Sequence, residues 1–197
     1  MEVAPESPRS TETRARLVDA ATAAFAAKGF HATTTRDIAA AAGMSPAALY
    51  VHHRSKEELL YLISRSGHEK TLALVRAAVA SSPDPAVALR QAVRDFALDH
   101  AVSHTSARIV NYESAALTPE HYAVVHALRC DIQNEIEALV VRGVEVGKFD
   151  TPVPRIASIA VLSLAVDLAR WFHSENHWDA EELADQYADI ALRIVSR

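Results

Sequence analysis

Residues 35–59, TRDIAAAAGMSPAALYVHHRSKEEL, limit what this chain can fold into more than any other stretch. Thr34 or Thr35 caps a short helix, with Asp37 three residues after Thr34 in a capping-box pattern and Ile38, Ala39 and Ala42 as its inner face. Gly43 ends it. Ser45 caps another short helix, Pro46 stands in the first turn, where a missing N–H costs nothing, and Leu49 and Tyr50 follow as anchors. Two short helices joined through one glycine must cross steeply, and Ala39 and Ala42 let them approach while Ile38 and Leu49 fill the junction. The second then projects Ser45, Pro46, Ala47, Ala48, Val51 and His52 outward, all small or polar enough for a backbone to lie close to base edges in a major groove about 12 Å wide.

Helical spacing continues on both sides of this pair. Leu17, Val18, Ala21, Ala24 and Phe25 recur at three-to-four spacing over residues 11–28, and Gly29 follows as a left-handed stop. Ser55-Lys56-Glu57-Glu58 reads as a capping box that opens a long helix reaching about Val79. Ser81-Ser82-Pro83-Asp84-Pro85 is the clearest break, and helices are expected beyond it over residues 86–102, 106–116, 119–146, 154–172 and 180–195, the last under a capping box from Asp179 to Glu182. No strand pattern competes, so the chain is expected to be all-α.

The formal charge of −5 speaks at first against a polyanionic partner. Its distribution reverses that. Residues 9–56 hold seven Lys or Arg (Arg9, Arg14, Arg16, Lys28, Arg36, Arg54, Lys56) against Glu12, Asp19 and Asp37, whereas residues 57–197 are strongly acidic. A basic head on an acidic body suits a nucleic-acid reader whose head alone touches the ligand. The longest charge-free apolar run near the end of the chain, residues 156–166, is short of the roughly 18–20 residues of a membrane span, so no membrane partner is expected. The start, MEVAPESPRS, lacks an apolar signal core, and the single cysteine, Cys130, reads as a small helix residue; a cytoplasmic location follows as the expectation.

Thr34, Thr35, Arg36, Tyr50, His52, His53, Arg54 and Lys56 ring the projecting helix with donors suited to phosphates, and binding that weakens steeply with salt is expected. Arg36 is the long side chain placed to reach a guanine's paired acceptors, while Pro46, Ala47 and Ala48 match thymine methyls. The whole run, with its threonine-led second helix, Ile-Ala, Ala-Gly, Ser, Leu-Tyr, His and Ser-Lys-Glu-x-Leu in register, resembles the DNA-binding motif of the TetR family over about residues 11–60. The resemblance assigns DNA contacts to Thr35 and Arg36 on the second helix and to Ser45, Pro46, Ala47, Ala48, Tyr50 and His52 on the recognition helix, with Thr34 beside them and Lys56 as a phosphate-binding lysine. His53 departs from the family, which has an aromatic or aliphatic residue there.

The same resemblance implies a disordered tail over residues 1–10, a helix-turn-helix domain over 11–56 and a helical ligand-binding and dimerisation domain over 57–197. The run IASIAVLSLAV is apolar nearly all round, so burial against a second copy is expected. A homodimer would use Ile159, Leu162, Val166 and Trp171 with Leu183, Tyr187, Ile190 and Ile194, burial within one chain being the alternative. Candidate effector residues are Phe96, His100, Arg108, Tyr112, Glu113, Tyr122, His126 and Arg129. The layout of residues 108–172 is similar to a branch of the family that controls fatty-acid or steroid catabolism and senses acyl-CoA thioesters. The implied function is a repressor that binds a palindromic double-stranded DNA operator as a homodimer and is released by a small-molecule effector, an acyl-CoA or another hydrophobic metabolite. Metal or drug sensing on the same fold and a non-sensing architectural protein stand as alternatives. His100 with His104 and His173 with His177 have one-turn spacing, but no Cys cluster or HExxH accompanies them, so no metal and no cofactor are expected. Without a Ser-His-Asp order, paired carboxylates or a phosphate loop, no enzyme is expected either.

Overall fold

Each helix of this chain begins and ends on local chemistry that the sequence carries. In a computed structural model, which describes residues 8–173 and 178–196, α1 (Pro8–Lys28), α2 (Thr35–Ala41), α3 (Pro46–His52) and α4 (Lys56–Ala80) come first. They are followed by α5 (Pro85–Val102), α6 (His104–Tyr112), α7 (Pro119–Glu145), α8 (Pro154–Trp171) and α9 (Ala180–Val195). Among the described residues no strand forms, and no helix is long and apolar enough to cross a membrane.

The Thr34 hydroxyl accepts from Asp37 N, and the Asp37 carboxylate accepts from Thr34 N at 2.8 Å, a complete capping box. Ser45, Ser55, Asp84, Thr118 and Asp179 each cap the helix that follows. Prolines stand in the first turn of α3, α5, α7 and α8, where no backbone donor is needed. Gly29 and Gly43 turn the chain at φ +79 and +69, a region that disfavours side chains.

Three local expectations are corrected. At Ser55 the cap is one-sided, because the Glu58 carboxylate reaches Arg54 N at 2.6 Å and not Ser55 N. Helix α1 starts at Pro8, so Pro8 to Ser10, counted with the tail, are helical; a proline tolerates a first turn. The helix expected over 106–116 starts earlier, at His104, and stops at Tyr112, and a single tight turn, Ser114–Ala116, completes it.

The helices pack around two main cores. Leu17, Ala21 and Phe25 of α1 meet Ile38 and Ala39 of α2, Leu49 of α3, and Leu59, Leu60 and Ile63 of α4 in the head, where Ile109 and Val110 of α6 join them. The body core collects Leu72, Val75, Leu89, Phe96, Ile136, Leu139, Val161 and Ala188 from α4, α5, α7, α8 and α9. The α5–α9 contact carries a charged edge in which Arg90 reaches Asp185 and Asp189, and Arg94 reaches Asp185 and Glu181. Half-exposed pairs like these set register more than stability.

Gly143 of α7 allows the closest approach in the body. A Cβ there would lie 2.0 Å from Cδ2 and 2.3 Å from Cε2 of the buried Phe149 ring, which cannot retreat through a packed core. Gly143→Ala is expected to lower the unfolding free energy by about 2 kcal/mol. Denaturant melts check this, and adding Phe149→Leu to make room should restore part of the loss.

Candidate functional site

In the head, Thr35 Oγ1 lies 3.1 Å from Tyr50 Oη, which ties the start of α2 to the end of α3. Ser45, Pro46, Ala47 and Tyr50 are exposed, Ala48 and His52 partly so, and Val51 is 78% exposed. Arg36 is exposed, and neither its guanidinium nor that of Arg54 has a partner among the described residues. The outward face is therefore small, apolar and flanked by free cations, which suits groove entry.

Lys56 is placed differently from the expectation. Its ammonium donates to the carbonyls of Phe30 at 2.8 Å, His31 at 3.2 Å and Thr33 at 2.8 Å, and stands 4.5 Å from the Phe30 ring centroid. A lysine has three donors, and all three are taken. The turn between α1 and α2 directs the carbonyls of Phe30, His31 and Thr33 at the ammonium, so in this structure Lys56 ties the loop together. Lys28 likewise pairs with Asp37 at 2.8 Å, which with Thr34 holds that carboxyl well below the ordinary range, and Arg16 donates to the Ala42 carbonyl at 2.7 Å. His53 is buried at the end of α3, where desolvation lowers its pKa, opposed by Glu58 at 4.0 Å.

Where head meets body, a cavity of about 430 Å³ opens between α1, α4, α5, α6, α7 and α8. Of the eight candidate effector residues, Phe96, His100 and Arg129 line it. The other five do not. Arg108 turns to the head and donates to the Ala26 carbonyl at 3.1 Å, and Tyr112 sits against the Asp167–Arg170 pair. Glu113 closes α6 through its backbone, and Tyr122 and His126 face each other on the outer side of α7. Cys130 is exposed one turn beyond His126. Helical phase decides these placements, since residues one or two apart on α6 or α7 face different neighbours.

Sequence reasoning missed His68, Thr71, Asn111 and Gln133, which supply much of the polar lining. A signal existed: His68 falls on the stripe Leu60, Ser64, His68, Thr71, Leu72, Val75 of α4, where a polar residue at a core-facing position marks something other than filling. Ile159, Leu162 and Val166, expected at a dimer interface, line the cavity, although Ile159 is also 41% exposed. Leu183 is buried within the chain against Ala97, Ala101, Leu168 and Phe172, and Trp171 and Tyr187 pack on that cluster. Ile194 packs on the body core, and Ile190 stays exposed. The apolar run of α8 is thus divided between core and cavity, leaving Ile156, Ile159 and Leu164 outside.

His100 and His104 turn their Nδ1 atoms to the carbonyls of Phe96 and Ala101, and among the described residues no three potential metal ligands converge. His177 lies outside the described residues.

Residues 82–195 match the Tetracyclin repressor-like, C-terminal domain, and residues 17–61 match the bacterial regulatory proteins of the tetR family. The chain belongs to the TetR family. A curated relative, the HTH-type transcriptional repressor KstR2 of Rhodococcus jostii (strain RHA1), is 29% identical over 181 residues, 91% of this chain and 89% of its own. A solved bacterial regulatory protein of the tetR family from Rhodococcus RHA1 is 38% identical with a TM-score of 0.88, covering 94% of this chain and 97% of that one. AibR, solved in complex with isovaleryl coenzyme A and operator DNA, shares the fold at 24% identity and a TM-score of 0.82, over 90% of this chain and 97% of that one. This member of the TetR family is a DNA-binding transcription regulator with a helix-turn-helix head and a ligand-binding body.

Two predictions follow from the geometry. Lys56→Ala should destabilise the head by about 2 kcal/mol, the worth of hydrogen bonds from a charged donor, yet leave the salt dependence of DNA binding unchanged; thermal melts and titrations at several salt concentrations check both. Burial lowers His53, His68 and His100 below their ordinary 6.5, His100 to about 4. The unfolded chain binds more protons between those values, so stability is full above pH 6.5 and falls as pH drops, levelling off near 4 for His100. From pH 7 to 5 the His100 contribution is about 2 kcal/mol, and His100→Gln should flatten the profile by that amount in denaturant melts.

Proposed function

We propose that this protein is a repressor that grips a palindromic operator as a homodimer and lets go when a hydrophobic small molecule of the acyl-thioester kind fills the body cavity. One observation carries the reading. The cavity walls include Val18 and Thr22 of α1 and Ile63 of α4, whose neighbours Leu17, Leu59 and Leu60 are core residues of the head. An occupant therefore touches the helices that carry the DNA-reading pair. A ligand shifts an equilibrium only by its differential affinity for the two states, typically 1–3 kcal/mol of coupling, and direct contact with α1 and α4 supplies the difference.

The apolar walls of Phe96, Val110, Ile132 and Leu162, with exposed Arg129 and Lys70 at the rim, fit an apolar acyl group with an anionic remainder left in solvent. AibR, of the same fold, was solved with such a thioester, and KstR2 is named a repressor. Ile156, 61% exposed, with Ile159, Leu164 and Ile190 offers the apolar area for a twin across a two-fold axis. Two copies also resolve a difficulty of reach, because one seven-residue recognition helix reads too few bases to select a site.

Operator sites selected from random DNA, then challenged with acyl-CoA thioesters of graded chain length, test the proposal. Ala107→Trp fills the cavity from a buried lining position. It is expected to keep operator affinity within a few-fold and to abolish release; release that survives the tryptophan rejects the cavity as the effector site. Arg36→Ala should cost about 1–3 kcal/mol on the operator and relax one base position, with little change on random DNA.

A further inference from the structure

Two buried histidines that line the cavity are oriented by backbone carbonyls. His68 of α4 and His100 of α5 are both buried, and each turns Nδ1 to the carbonyl one helical turn back, Ser64 at 2.8 Å and Phe96 at 3.2 Å. A carbonyl only accepts, so Nδ1 carries the proton in each ring, and in a neutral ring Nε2 is then a bare lone pair. Burial keeps both rings neutral. The His100 lone pair receives Asn111 Nδ2 at 3.2 Å. The His68 lone pair has no partner among the described residues.

Asn111 must present its amide nitrogen to His100, which leaves Oδ1 over. The Ser158 hydroxyl donates to the Arg155 carbonyl at 2.9 Å, so Gln133 must donate to Ser158 through Nε2, at 2.7 Å, and its Oε1 is left over. The Thr71 hydroxyl donates to the Gly67 carbonyl at 3.0 Å. His68 Nε2 is thus a buried acceptor without a partner among the described residues, while Arg129 and the hydroxyls of Ser66, Ser103 and Ser163 keep donors elsewhere in the lining.

We infer that the effector carries an uncharged hydrogen-bond donor, a hydroxyl or an amide N–H, in its buried part and that His68 Nε2 accepts from it. The inference rests on the cavity being the effector site. A carbonyl or ether oxygen at that place would set acceptor against acceptor, and an apolar atom would leave the imidazole nitrogen desolvated without a partner. A cationic donor is disfavoured because the charge that acts on His68 is the Arg129 cation, and Asp99 of the lining is already paired with Lys70. Discrimination by a polar group built into a pocket is stronger than discrimination by apolar fit, because the mismatch strands a buried group.

Three probes of one shape separate the possibilities: 2-decalol, which donates, 2-decalone, which only accepts, and decalin, which does neither. Calorimetric titration of the full chain should show 2-decalol bound about ten-fold more tightly than the other two. His68→Phe should bring the alcohol down to the ketone, and His68→Gln, which keeps an acceptor, should retain part of the preference. Thermal melts and operator binding report whether each variant is folded, and the wild-type ratio stands without them. Ala107→Trp should block all three probes. Equal binding of alcohol and ketone, a preference for the ketone, or a preference that survives in folded His68→Phe overturns the role of His68 and leaves the cavity reading in place. Failure of all three to bind, or binding that Ala107→Trp leaves unchanged, overturns the cavity reading and the inference with it.

Discussion

The 25-residue helix α4 is shared between two cores, and the rest of the molecule is arranged around that sharing. Its first turns bring Leu59, Leu60 and Ile63 into the head, and its later turns bring Leu72, Val75 and Ala78 into the body. A helix of this length spans about 38 Å and bends sharply only where its hydrogen bonds are interrupted. Motion imposed on its middle is carried to the DNA-reading end. Between the two cores α4 presents Gly67, His68 and Thr71, and there the cavity opens. Gly67 stands so close to Val110 of α6 that a Cβ would lie 2.8 Å from Val110 Cγ2, so the cavity wall is also the tightest helix crossing in this part of the fold.

Other contacts restrict how the head can move on the body. The Glu57 carboxylate at the start of α4 accepts from Thr118 N at 2.9 Å and meets His121 Nδ1 at the same distance, while Tyr61 stacks on His121 with ring centroids 3.8 Å apart. Arg108 binds the end of α1 through the Ala26 carbonyl. These contacts fasten α4 to α7 and α1 to α6. These points therefore restrict how the head can turn on the body.

Much of this was legible in the sequence because it is local. Thr34 with Asp37, Ser45 with Pro46, and the break at Ser81 to Pro85 act within a few residues, and the helices they bound lie within a residue or two of expectation for all but α1 and α6. The content of the cavity was not legible in the same way. Phe96 and His100 share a buried stripe of α5 and reach the cavity together, but Arg108, Tyr112 and Glu113 scatter because α6 is short and turned toward the head. A charged or aromatic residue advertises chemistry without revealing its direction, and direction depends on the rotation of a helix that only its neighbours set. Lys56 shows the same limit in the head, where counting cations does not reveal that three loop carbonyls hold its ammonium.

The same contacts bear on the electrostatics of the head. Of the seven cations of the basic head, Lys56, Lys28 and Arg16 are engaged within the protein, and the guanidinium groups of Arg36 and Arg54 have no partner among the described residues. Each phosphate neutralised contributes about 0.9 to the logarithmic salt slope, so cations already engaged within the head would make that slope gentler than a count of Lys and Arg implies. Its recognition helix adds apolar contacts from Pro46, Ala47 and Val51, which select shape and thymine methyls and provide little affinity alone. In the homodimer proposed above, two such heads would hold an operator only when both are seated at once, since the second adds its binding intramolecularly. In that arrangement, the weaker each head binds, the less free energy release would need. A coupling of the usual 1–3 kcal/mol, small against a tightly bound head, suffices when misplacing one head leaves the other too weak to hold the DNA alone.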